Sequence, residues 1–105
     1  MLLLADDDEV PALPTEAETS LAGSLGSDGL QAIDEAIGNA ARPHWLKVAR
    51  IVVDAIRSAG FTTEEAQVQL HVRRTIALVS AGLLEAQGNL HRPRFSEVRL
   101  PADRR

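Results

Sequence analysis

The stretch from Ala81 to Leu100, AGLLEAQGNLHRPRFSEVRL, restricts the fold more than any other part of the chain. Residues 83–87 and 96–100 each alternate in the period-two pattern of a strand with one buried face. Antiparallel pairing that sets Leu84 opposite Leu100 and Ala86 opposite Val98 also sets Glu85 opposite Arg99. Burial on one face and an ion pair on the other therefore select the same register, and a one-residue slip loses both. The connection, GNLHRPR, carries His91, Arg92 and Arg94, and its Pro93 cannot be a central strand residue. Gly82 is placed to stop the preceding helix. Pro101 ends the second strand, and residues 102–105 read as a frayed C-terminal tail.

Upstream, the spacing predicts helices. TEAE at Thr15–Glu18 fits a capping box, with Ala17, Leu21 and Leu25 following at helical spacing. A second segment starts at Ser27 or Asp28, carries the stripe Leu30, Ile33 and Ile37, and closes at Gly38 and Asn39. The segment RPHWLKVARIVVDAIRSAG reads as one helix with Pro43 in its first turn and Gly60 as its stop. Lys47, Arg50, Asp54 and Arg57 share its narrow polar arc. Apolar residues including Trp45 cover the rest, which predicts a central helix with Trp45 in the core. In the next segment Thr62 and Glu65 suggest a second capping box. That helix carries two polar seams, one of Gln69, Arg73 and Ser80 and the other of Gln67, His71 and Arg74.

The charge is divided along the chain. Residues 1–41 hold nine acids and no Lys or Arg, whereas residues 42–105 hold eleven bases and six acids. A front of −9 and a remainder of +5 give the net −4. Either the basic part meets a polyanion, or the acidic front folds back on it. The front divides further into MLLL, an edge strand or apolar plug, and DDDE, which clustered acids make a solvated face rather than a metal site. The expected organisation is an acidic arm with a short helix over residues 1–27, a domain over 28–101, and the tail.

Helices followed by a hairpin are the order of a winged helix. The fold expected is mainly α with a C-terminal β-hairpin: a winged-helix-like three-helix domain with the acidic arm docked on it. More narrowly, HWLKVARIVVDAI, RRTIALVSAGLLEAQGNL and RFSEVRLP together resemble a bacterial family catalogued only as domain of unknown function 3658. The resemblance covers about residues 28–101 and rests on Trp45, Arg73 or Arg74, Gly82, Leu84, Glu85, Gly88 and the run Glu97, Val98, Arg99. It implies the fold and supplies no activity.

The residues point away from catalysis. Without cysteine there is no disulfide frame, thiolate zinc site or cysteine nucleophile. His44, His71 and His91 lack metal-ligand spacing, and neither a nucleophile elbow nor a phosphate-cradling glycine loop occurs. We therefore expect no enzyme, no cofactor, no metal and no small-molecule substrate. MLLLADDD does not read as a signal peptide, and no run approaches the roughly 20 apolar residues of a membrane span, so a cytoplasmic protein is expected. The expected function is a protein–protein interaction module with a partner protein or a second copy of itself. It would be regulatory or accessory, immunity- or antitoxin-like among the narrower roles. The alternative is a DNA-binding winged-helix transcriptional regulator. Either would use Gln67, His71 and Arg74 on the helix, with Arg92 and Arg94 on the wing. Against DNA stand Glu64 and Glu65 at the helix start and the acidic pI of about 5.3.

Overall fold

The computed structural model describes residues 9–102. The expectations for MLLL, for Asp6–Asp8 and for the last three residues lie outside the described residues. Within them the chain is mainly helical, with a small antiparallel sheet near its C-terminus.

Helix α1 spans Glu16–Ala40 and is interrupted at Gly26, whose φ of 68° and ψ of −174° are not helical. The two expected helical segments are therefore both present, joined across a kink at Gly26. Thr15 caps it, its hydroxyl oxygen accepting from the Glu18 N–H at 3.2 Å. The other half of the expected capping box is absent, because the Glu18 carboxylate is bonded to Arg73 instead. Gly38 and Asn39 do not close the helix, which runs on to Ala40. Its end is met by Arg42, which donates to the carbonyls of Asn39 and Ala41 at 2.8 and 2.9 Å.

The helix expected from Pro43 begins later. Leu46–Lys47 form a two-residue strand, β1, and helix α2 spans Val48–Ser58. Leu46 pairs with Val98 and Lys47 with Glu97, so the backbone here satisfies the outer edge of another strand rather than a helical turn. Helix α3 spans Glu65–Ser80, with Glu64 at its cap position and no side-chain cap bond. The proposed Thr62–Glu65 box fails because the helix begins at Glu65 itself, leaving Thr62 two residues ahead of Glu64, the cap position a box requires. Both α2 and α3 end in Schellman turns through glycines at positive φ. Gly60 has φ 77° and Gly82 φ 79°, with Phe61 N–H donating to Ile56 O and Leu83 N–H to Leu78 O.

Strands β2 (Glu85–Gly88) and β3 (Ser96–Arg99) pair antiparallel in the expected register, Glu85 with Arg99 and Ala86 with Val98. Glu85 and Arg99 form the expected ion pair at 2.7 Å. The two-stranded ribbon is, however, part of a three-stranded sheet in the order β1-β3-β2. A short 3-10 turn at Pro93–Phe95 interrupts the hairpin connection.

The core lies between the three helices and one face of the sheet. Ile33 and Ile37 of α1, Ile51, Val52 and Ile56 of α2, Val68 and Val72 of α3 and Val98 of β3 are fully buried. Trp45 is not among them. It precedes β1, is half-buried, and lies beneath the Arg99 guanidinium, 4.3 Å from the ring centroid. The reason is again the later helix start, which places Trp45 at the edge of the sheet instead of on a buried helical face.

Two glycines separate backbone strain from crowding. A Cβ on Gly82 would meet open space, whereas one on Gly88 (φ 86°) would lie 2.6 Å from Phe95 O and 3.1 Å from Ser96 Cα. Gly82→Ala should cost about 1 kcal/mol for the left-handed backbone alone. Gly88→Ala should cost about 2–3 kcal/mol, because backbone atoms must also move. Urea unfolding of the two variants checks the order.

Candidate interaction surfaces

The surface that sequence assigned to a partner is largely internal. Gln67 and His71 are buried, as is Gln69 of the other seam. Arg74 is half-buried and its guanidinium is held by Asp34 of α1 through two hydrogen bonds, 2.9 Å from Nε and 2.8 Å from Nη2. Those bonds raise the Arg74 pKa above its already high ordinary value. Three of the five expected contact residues are thus engaged inside the domain. The physical reason is that α1 meets α3 on both sides of its Gly26 break, at Arg73 and at Arg74, so both polar seams face protein except at exposed Ser80.

The segment before Gly26 makes the second of these contacts. Glu18, only 2% exposed, receives the Arg73 guanidinium on its carboxylate, Nη2 lying 3.1 Å from Oε1. The same guanidinium donates to the backbone carbonyls of Pro11 at 3.0 Å and Ala12 at 3.3 Å. Thr15 donates its hydroxyl to Gln69 Oε1 at 3.1 Å. Further out, the Val10 N–H donates to His91 O at 2.7 Å, and Glu9 lies 3.8 Å from the Arg92 guanidinium. The acidic front therefore folds back on the basic part, with Glu9, Glu18 and Asp34 facing Arg92, Arg73 and Arg74.

His71 has the environment of a structural residue. It is fully buried, its Nδ1 is 2.8 Å from Gln67 O, and Phe61 packs edge-on against its ring at 6.2 Å. Nδ1 carries the proton in this arrangement, since a carbonyl can only accept. Burial pushes the imidazole pKa below its ordinary value, outweighing the backbone hydrogen bond.

The hairpin connection remains at the surface. Arg92 sits over the Phe95 ring, 4.5 Å from its centroid, and Phe95 is 48% exposed. Arg94 is exposed and helps to line a groove of about 450 Å³ against the outer face of α2. The other cations of that groove are Lys47, Arg50 and Arg57, and Ala49 and Val53 form its floor. These were legible as a polar arc at helical spacing, but sequence reading did not single them out as a surface for a partner. A second groove of about 510 Å³ runs over Leu78, Leu83, Leu84 and Leu100, with Asp34 and Glu35 on its rim. Among the described residues no three acidic or histidine side chains gather as a metal site, and no helix is long and apolar enough to cross a membrane. Comparison with protein-family models, curated proteins and solved structures finds no match.

Two predictions follow from the buried polar groups. Glu18→Gln leaves Arg73 facing a neutral amide in a closed site and should cost about 3 kcal/mol, read by thermal or urea unfolding. His71 makes stability depend on pH in a defined direction. Above its ordinary pKa of about 6.5 both folded and unfolded forms are neutral. As pH falls below that value the unfolded chain binds the proton first, so stability declines until the lower folded pKa is passed. In His71→Gln, the slope of unfolding free energy against pH just below about 6.5 should be shallower than in the parent.

Proposed function

We propose that this chain is a small non-enzymatic protein-interaction module, a winged-helix-like domain whose third helix is closed off by its own acidic arm. The order α1-β1-α2-α3-β2-β3 and the strand order β1-β3-β2 support the winged-helix reading. Kinship with the domain of unknown function 3658 family and a cytoplasmic setting belong to the same proposal. The observation that carries it is the double engagement of α3. Arg73 and Arg74, the two cations of that helix, are held by Glu18 and Asp34. A helix that reads a major groove needs free side chains able to reach base edges. Here those positions are spent on the domain's own interior, which leaves the two grooves as binding surfaces. The partner is a regulated or inhibited protein, or a second copy of the chain.

A second reading, DNA binding by a transcriptional regulator, draws on the same topology and on the cluster Lys47, Arg50, Arg57 and Arg94. It requires the duplex to approach α2 instead of α3, or the arm to leave.

Two measurements separate the readings. Sedimentation across a wide concentration series should show self-association, or a one-to-one complex with a partner encoded beside this chain. DNA titration at low salt should show no binding, in the parent or in Glu18→Gln with its arm contact weakened. Binding whose log–log salt slope is about −3.6, as four phosphate contacts would give, overturns the interaction-module reading in favour of DNA.

A further inference from the structure

We propose that the groove on the outer face of α2 receives an acidic, aliphatic peptide segment of a partner protein. The inference rests on the interaction-module reading and names the chemistry of what is bound.

The groove combines two features that a single ligand must satisfy together. Its walls carry four cations, Lys47, Arg50, Arg57 and Arg94, against one acid, Asp54. Its floor is aliphatic, made by Ala49 and Val53, both half-buried. This surplus stands on a chain whose net charge is −4. The contrast with the other arginines is informative. Arg73, Arg74 and Arg99 each meet an internal carboxylate at hydrogen-bond distance. Lys47 and Arg57 form no ion pair among the described residues, and Arg50 has only a 3.8 Å contact with Asp54, both side chains well exposed. An exposed pair of that kind contributes little. Placing like charges side by side costs energy, and for Lys47 and Arg57 no ion pair among the described residues offsets it.

Spacing gives the size of the ligand. Arg57 stands ten positions after Lys47, the cap residue of α2, or about 15 Å along the axis. That length matches about five residues of extended chain. Acidic side chains at alternate positions would meet the walls, and aliphatic side chains between them would cover the floor. Nucleic acid fits less well. The groove lining contains no aromatic ring on which a base could stack. A phosphate backbone leaves the aliphatic floor unused, and the acidic chain as a whole opposes a polyanion.

The test uses the full chain and a soluble peptide of alternating Asp and Leu, followed by NMR chemical-shift changes. Shifts should centre on residues 47–57 and on Arg94. The exposed double variant Lys47→Glu/Arg57→Glu should bind at least about tenfold more weakly, the loss expected for charge-assisted contacts. Replacing Leu by Ser in the peptide should also weaken binding, which a purely electrostatic surface would not show. Shifts confined to the Leu78–Leu100 groove, equal binding by the charge-reversed variant, or tighter binding of duplex DNA to the same face would overturn the inference. The first two outcomes leave the interaction-module reading standing, because that reading fails only on the sedimentation and DNA results.

Discussion

The domain depends on the way two adjacent arginines on α3 are answered by carboxylates from a single helix. Arg73 and Arg74 project from neighbouring positions, so they diverge by about 100° around the helix axis. Their partners Glu18 and Asp34 stand sixteen positions apart, about 24 Å along an unbroken helix. With the break at Gly26, the first part of α1 delivers Glu18 to Arg73 while the second delivers Asp34 to Arg74. Glycine is the residue that adopts the required positive φ without strain. Ile33 and Ile37 then enter the core from the second part, and the Arg73 fork holds the backbone carbonyls of Pro11 and Ala12.

Burial of both guanidinium groups against internal acids changes what the fold can do. A third helix followed by a hairpin is an arrangement that other proteins turn toward nucleic acid, but fold alone does not decide function. Here the polar groups of α3 contribute to architecture, and the unspent positive charge lies one helix away. The two grooves differ in character. One is cationic with a small aliphatic floor, and the other is a leucine surface with acids at its rim.

The C-terminal half of the fold was legible from sequence because several local signals agreed there. Alternation, the Glu85–Arg99 pair and the glycine at position 82 each pointed to the same hairpin and the same register. Strand β1 was not legible for a physical reason. Two residues are too few to show a period, and Leu46 and Lys47 continue the hydrophobic pattern of α2, so their strand pairing is decided by Val98 and Glu97 far along the chain. Trp45 was misread with them. The candidate contact residues divide: Arg92 and Arg94 stand on the hairpin connection, and the other three turn toward the domain itself. Gln67, His71 and Arg74 form a real seam on α3, but a polar seam looks the same in sequence whether it faces solvent or an acidic neighbour. The charge asymmetry carried the missing information, since an acidic front and a basic remainder can neutralise one another within the fold. Only the pairing of particular residues was beyond it.

The contacts of Glu18 also bear on the order in which the molecule assembles. Its partner Arg73 lies 55 residues further along the chain, and Pro11 meets the same side chain across 62 residues. The first part of α1 leaves the ribosome early, yet the surface it covers does not exist until α3 has emerged. A helix of that length is marginal in water without tertiary packing. The contacts that hold the arm can therefore form only once the chain has been made as far as Arg73.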